Sequence, residues 1–333
     1  MVKVSVIVPV YGVAPYIGKC TNSLLSQTLD DMEFIFVDDH GPDGSIEMAR
    51  HTIAGHSRER QFRFLDPGKN LGAGAARNYA IPFAEGEYIA FVDGDDWVEP
   101  DMFSVLYRKA KVSGDADVCY AQGVKDFSDG KPSIALKNPV VESGEFTHDK
   151  RAFYLVNYVS YFTTYIYRKD HLLRDRVQFP QSRWAEDSFF ISCSLMTAKS
   201  VACVDRPMYH YRIRPGSAST TTDGTKYLLR IAVFDKLLQY AIDHGVIHEF
   251  KEEINYIYIK KCGLTALIDY ANGTLKPQLS TFKEIFGAVS SRIPDYKSNR
   301  YYKKSISVKL LLWLSQHMPA IFTWAARKIS SSV

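Results

Sequence analysis

Cysteine is sparse. Five residues, Cys20, Cys119, Cys193, Cys203 and Cys262, are scattered over 333 positions without a single CxxC pair. That argues against a disulfide framework and for buried, reduced thiols in a reducing compartment. A secretory leader is missing as well. One lysine and a short apolar run stopped by Pro9, with no cleavage site, leave the chain expected in the cytoplasm. No stretch supplies the roughly 20 predominantly apolar residues of a comfortable membrane span, and there is no internal repeat or low-complexity tract. Acidic residues run out toward the C-terminus. From Arg292 onward, Arg292, Lys297, Arg300, Lys303, Lys304, Lys309, Arg327 and Lys328 face Asp295 alone, although the whole chain is only +4. A basic end on a mildly acidic body suggests an anionic surface as partner, a membrane before a nucleic acid.

What remains is ordinary globular composition, 46% hydrophobic and 23% charged, long enough for one large domain and an appendage. Val4 to Val10, Glu33 to Val37, Phe62 to Leu65 and Tyr88 to Val92 read as near-continuous apolar strands, the kind buried on both faces of a parallel sheet. Pro15 to Gln27, Ser45 to Ile53 and Gly72 to Phe83 read as the helices between them. Repeated strand and helix imply right-handed crossovers and a doubly wound, mostly parallel α/β sheet, which binds ligands at the carboxyl ends of its strands. Those ends read "PVYG", "VDDHGPDGS" and "VDGDD". Residues 115 to 220 continue the sheet with weaker signals. From Tyr227 to about Gly287 the pattern is helical, with Ile231, Phe234, Leu237, Leu238 and Ala241 at three- and four-residue spacing.

The segment 305–329 is treated as one helix. At 100° per residue Ser305, Lys309, Gln316, Thr323 and Arg327 form a narrow polar stripe, with large apolar residues around it. This describes either a helix lying in a membrane interface with its basic flanks on headgroups, or a helix packed on the domain.

Asp93 and Asp95 flank Gly94 at a strand end. On an extended backbone two such carboxylates point the same way and raise each other's pKa unless a cation intervenes. Gly94 keeps the backbone open to close approach. A hard divalent cation, Mg2+ or Mn2+, shared with substrate phosphates answers that charge; a solvated acidic turn is the alternative. "GAGAAR" begins like a dinucleotide fingerprint, but Arg77 stands at its third glycine position and the motif sits in the third unit. A dehydrogenase is therefore excluded.

Together, "VSVIVPVYG", "SLLSQTLDDMEFIFVDDHGPDGS" and "NLGAGAARNYAIPFAEGEYIAFVDGDDWVEP" resemble, in order and spacing, the nucleotide-sugar domain of inverting family 2 glycosyltransferases. The resemblance is strong to about residue 113, looser through "WAEDSFF" and "YHYRIRPGSAS", and ends near residue 220. It implies a GT-A fold over 1–220, with a nucleotide-sugar half at 1–113 and an acceptor-side half at 114–220. A helical C-terminal region follows at 221–333. It also implies a UDP-sugar donor. Pro9 and Tyr11 would line the base, Asp39 would bond uracil N3 with Asp38 alongside, and Arg77 would face the nucleotide or its phosphates. Asp93 would face ribose and metal, Asp95 would ligate the metal, and His210 would complete the metal sphere unless it is structural. Asp96 would support the turn or the donor sugar. Arg212, Arg214 and Ser217 would close over the diphosphate. The "ED" pair, Glu186 and Asp187, would place the catalytic base at Asp187, although acids at a helix start are also caps.

One departure bears on product. Processive synthases of this family carry QxxRW downstream of the base, whereas "QSRW" here is one residue short and lies upstream of Glu186. A non-processive enzyme is expected, adding one hexose or N-acetylhexosamine to a saccharide or lipid-linked acceptor of surface polysaccharide, peripheral on the cytoplasmic membrane face and without nucleic acid. The rivals are a sugar-1-phosphate nucleotidyltransferase, for which a GxGxR segment after the first strand is missing, and a catalytically silent nucleotide-sugar binder.

Overall fold

The computed structural model describes residues 1–214 and 225–331. The chain divides into two compact units, Met1–Pro215 and Gly216–Val333.

The first unit begins β1 (Val4–Val10), α1 (Ala14–Leu25), β2 (Met32–Asp38), α2 (Ser45–Ile53), β3 (Phe62–Leu65), α3 (Ala73–Ala80) and β4 (Tyr88–Phe91). Every residue of β1 and β4 is buried, which is why these strands are apolar almost throughout, with Ser5 the one hydroxyl in β1, and do not alternate. The unit continues with β5 (Trp97–Val98), α4 (Met102–Val112), β6 (Val118–Phe127), β7 (Ile134–Leu136), β8 (Gly144–Glu145), α5 (His148–Asn157), β9 (Tyr165–Arg168), α6 (Lys169–Arg174), α7 (Glu186–Thr197) and β10 (Ser200–Ile213). Among the described residues one sheet runs β3, β2, β1, β4, β9, β6, β10, β5, with β7 on β6 and β8 on β10. β1, β2, β3 and β4 pair parallel, as the crossovers require, while β9 lies antiparallel to both β4 and β6.

Register fixes what the strand ends bring together. Ile7 lies opposite both Ile35 and Phe91, and Val10 lies opposite Asp38, so β1, β2 and β4 release their loops at one edge. On one sheet face Val4, Val6, Val8, Phe34 and Phe36 pack with Ile17 and Leu24 of α1 and Ile46 of α2. The other carries an aromatic cluster in which Phe91 meets Phe162, Tyr167, Phe179 and Phe190, the last two rings stacked at 4.0 Å. Each fully buried phenylalanine contributes on the order of 1.5–3 kcal/mol relative to exposure. This cluster forms the floor of the site described below.

The second unit is helical: α8 (Lys226–Asp243), α9 (Val246–Glu249), α10 (Lys251–Ile257), a π-helical stretch Tyr258–Leu264, α11 (Thr265–Gly273), α12 (Leu279–Arg292), α13 (Arg300–Lys304), α14 (Ile306–His317) and α15 (Pro319–Ser331). The single helix expected over 305–329 is thus two helices, broken at Met318. Pro319 lacks an N–H and disfavours helical geometry in the residue before it, so it starts a new helix at its first position. The break also reorients the polar stripe. Thr323 is buried, Gln316 donates to the Phe282 carbonyl at 3.4 Å, and Arg327 donates to the Thr274 carbonyl at 3.0 Å. Among the described residues no helix is long and apolar enough to cross a membrane. All five cysteines are free thiols, Cys203 half-buried and the others buried.

Candidate active site

The strand ends collect the acidic residues, but each carboxylate has its own partner. Asp39, after β2, is 2% exposed and accepts from the Leu71 N–H at 2.6 Å and the Gly72 N–H at 3.0 Å, holding the loop that enters α3. Burial raises its pKa and these two N–H groups oppose the rise. Asp38 accepts the His40 N–H at 2.9 Å. Asp43, two residues before α2, accepts the Ala14 N–H at 2.9 Å and so caps α1, reached across from another loop. At the end of β1, Pro9 is buried while Tyr11 is 51% exposed, its ring available to a flat ligand.

Asp93 and Asp95 do not lie on extended backbone. β4 ends at Phe91, and the Asp96 N–H bonds the Asp93 carbonyl at 2.9 Å, a turn that assigns the two carboxylates to different arginines. Arg77 Nη2 donates to Asp93 at 2.5 Å, and Arg214 Nε donates to Asp95 at 2.8 Å. Gly94 permits the turn. A Cβ there would come within 3.0 Å of Val13 and 3.3 Å of the Pro9 carbonyl, so the close approach it allows is to the end of β1.

Arg77 turns inward. Only 3% exposed, it lies against the rings of Phe162 and Phe179 at 4.7 and 5.1 Å, and its Nη1 donates to Glu186 at 3.1 Å. Burial alone would lower its pKa, but Asp93, Glu186 and Asp187 reverse that and hold it above its ordinary value. This one guanidinium therefore ties the β4 turn to the start of α7. Gly74 in α3 makes room for the join, since a Cβ there would meet Glu186 Oε2 at 3.1 Å. Ala185, just before the "ED" pair, is a non-glycine residue at φ 61°, a conformation costing of order 1–3 kcal/mol that persists only where surrounding structure enforces it. His40, just after Asp39, has φ 55°. Asp187 is half-buried in the first turn of α7, where the helix dipole favours an anion.

β10 supplies the opposite wall. Alternation along this strand brings Arg212 and Arg214 to one side, both over the Tyr16 ring, and Arg212 Nε donates to the Asp95 carbonyl at 2.9 Å. Asp96 is 1% exposed, accepting from the Tyr209 hydroxyl at 2.6 Å and the Arg212 N–H at 2.8 Å. His210 has a carboxylate at each ring nitrogen. Its two ring nitrogens bond Asp126 at 2.7 Å and Glu99 at 2.8 Å, and its ring stacks on Trp97. Pairing of β5 with β10 sets His210 beside Trp97. Among the described residues no three His, Cys, Asp or Glu side chains converge to hold a metal. Ser217 lies outside the described residues.

Sequence patterns missed Tyr209, which bonds both Asp96 and the Asp93 N–H, and the aromatic bed of Phe162 and Phe179. "YHYRIR" contained Tyr209, but nothing local said that its hydroxyl would reach back to β4.

The acidic groups exceed their cations. Burial, then Asp93, raises the pKa of Asp95 against the pull of Arg214. Burial, then Asp95 and Asp93, pushes Asp96 well up, and burial raises Glu186 against Arg77. The folded state therefore binds these protons more tightly than the unfolded chain. Their stabilising contribution is present below the ordinary carboxylate range and is lost as pH rises through the raised values. Without ligands, Tm is expected to fall more steeply for the unaltered protein than for Asp96→Asn from about pH 4 upward. Parallel melting curves in matched buffers would show the assignment wrong.

Comparison with known proteins gives the family and the fold. Residues 5–174 match the family model described as glycosyl transferase family 2. Glycosyltransferase EpsJ of Bacillus subtilis, itself uncharacterized, is 32% identical over 286 residues, covering 82% of this chain and 79% of that protein. Among solved structures, Staphylococcus aureus TarS in complex with UDP-GlcNAc aligns with a TM-score of 0.63 at 21% identity, covering 99% of this chain and 91% of that one. The Pyrobaculum calidifontis mannosyltransferase PcManGT, solved with GDP-Man and Mn2+, aligns at 0.52 and 16% identity, over 98% and 86%. The expected architecture and the residues at its strand ends meet in one assignment: the chain belongs to glycosyltransferase family 2 and is a transferase built on the GT-A fold.

Proposed function

We propose that the protein transfers a single hexose or N-acetylhexosamine from a UDP-sugar to a hydroxyl of a saccharide or lipid-linked saccharide acceptor, with inversion, in the building of a surface polysaccharide. The observation that carries this reading is the Arg77 join, which fixes the Asp93 carboxylate, just past β4, beside the first turn of α7. Asp187 takes the proton of the acceptor hydroxyl as its oxygen attacks the anomeric carbon. The bond from that carbon to the diphosphate breaks on the opposite side, and the nucleoside diphosphate leaves unprotonated. Glu186 holds Arg77 and shares the helix start. Tyr11 offers its ring to the base, backed by Pro9, and Asp38 and Asp39 accept from its edge. Arg212 and Arg214, with Ser217, turn to the diphosphate.

The donor set suits a hard cation shared with substrate. The carboxylates of Asp93, Asp95, Asp96 and Glu186 outnumber the Arg77 and Arg214 guanidiniums that bond among them, and magnesium sites draw on one or two carboxylates plus phosphate oxygens and water. Mg2+ or Mn2+ held there would neutralise the departing diphosphate. The free thiols suit a reducing compartment, so the reaction is assigned to the cytoplasmic face of the membrane. The UDP-GlcNAc of the TarS complex supports uridine as the base; the GDP-Man of PcManGT sets the comparison to make.

Melting curves with UDP, GDP and a panel of UDP-sugars, with and without Mn2+, test the reading. UDP with Mn2+ at a hundred times Kd should stabilise by about 2.7 kcal/mol. Asp95→Ala should lose the metal-dependent part. A larger shift with GDP would reassign the base, and full transfer by Asp95→Ala in metal-free buffer would remove the metal from the proposal.

A further inference from the structure

α14 and α15 each have two apolar faces. Inward, Val308 and Leu312 of α14 are buried, and so are Phe322 and Ala326 of α15, with Phe322 edge-on to Phe282 of α12. Outward, Ile306, Leu310 and Trp313, at helical spacing on α14, are 76%, 52% and 49% exposed. On α15, Ile321 and Trp324 are 44% and 64% exposed. Met318, the single residue between the two helices, is exposed as well, so apolar side chains run outward along both. Leu275, 94% exposed, extends the surface, because its neighbour Thr274 receives the Arg327 guanidinium of α15. Packing and an exposed apolar surface are thus not alternatives in this tail; the two stripes do different things.

Charge indicates what covers the outer stripe. Lys303 and Lys304 end α13 just before Ile306, both exposed, and neither has an ion-pair partner among the described residues. Lys309 follows within α14, and exposed Lys276 adjoins Leu275. A second copy of this chain would bring the same excess of cations against itself, whereas an anionic bilayer attracts lysines at its surface and accommodates tryptophan at its headgroup level. We infer that α14, α15 and the Leu275 loop form a docking face for an anionic lipid bilayer, with Ile306, Leu310, Trp313 and Trp324 inserted among the headgroups and the lysines on lipid phosphates. The face lies wholly in the C-terminal unit, so its loss would leave the proposed reaction standing.

Co-sedimentation of the full chain with vesicles tests this. Vesicles of phosphatidylcholine with phosphatidylglycerol should carry the protein down, phosphatidylcholine alone should do so poorly, and high salt should release it. Trp313→Ser combined with Trp324→Ser, and separately Lys303→Glu combined with Lys304→Glu, should each weaken partition by roughly tenfold or more. All four positions are exposed, so both variants should melt with the unaltered protein, and a blue shift of tryptophan emission on vesicles provides a readout independent of sedimentation. Partition that both variants leave intact overturns the inference. So does absence of partition, including the case where sedimentation velocity shows a dimer that the tryptophan variant splits, which would give the face to a second copy.

Discussion

Asp187→Asn is expected to lower turnover on the cognate donor by roughly 10²- to 10⁴-fold, the range a positioned general base supplies, while nucleotide affinity stays near that of the unaltered protein. Asparagine keeps the shape and can still accept a hydrogen bond, but it cannot take a proton. The acceptor hydroxyl is a poor nucleophile at neutral pH, so loss of the base falls on kcat and kcat/KM together, the mark of an interaction made in the transition state. The choice of Asp187 over its neighbour belongs to the proposed reaction. Glu186 is engaged by Arg77, and Asp187 is half-buried at the same helix start, near enough that its charge raises the pKa of Arg77, Tyr161 and Tyr167. Glu186→Gln should therefore act differently, loosening the Arg77 join and lowering Tm. If Asp187→Asn retained full transfer while Glu186→Gln lost it without loss of stability, the two roles would be exchanged. A silent binder would show no turnover in the unaltered protein, and a nucleotidyltransferase would release pyrophosphate from UTP and a sugar 1-phosphate.

The fold was legible because β1, β2, β3 and β4 alternate with helices in near-continuous apolar runs, and burial on both faces of a parallel sheet, complete in β1 and β4, permits little else. The edge where the site forms was legible for the same reason: parallel strands release their loops together. What could not be read was pairing. Asp93 and Asp95 looked like a matched pair, yet a bond between residues three apart curls the chain, and their true partners are 16 and 119 residues away. His210 looked available, but its two partners, Glu99 and Asp126, come from other segments that only the sheet brings near. The tail failed more locally. A stripe drawn at constant 100° steps ignored Pro319, and one helix break turned Thr323 from the supposed outer stripe into the interior.

Arg77→Met is the substitution expected to cost most in stability. Methionine fits between Phe162 and Phe179 and keeps much of the packing, so the loss isolates the charge. Removing one member of a buried ion-pair group costs 3–5 kcal/mol because the others stay buried and unpaired. Asp93 retains 26% side-chain exposure and Glu186 15%, which places the expected cost near the lower end, about 3 kcal/mol. For a unit of this size that is a fall in Tm of roughly 10 °C. Arg77→Lys should fall between, since one ammonium keeps the charge but cannot fork between two carboxylates. The decisive measurement is the triple variant Arg77→Met, Asp93→Asn, Glu186→Gln. If the loss is electrostatic, neutralising both stranded acids should recover most of the melting temperature without recovering transfer. A melting point for Arg77→Met within about 2 °C of the unaltered protein would mean that the β4 turn and α7 are held by packing alone. In that case the guanidinium would matter only for where Asp93 sits when donor arrives.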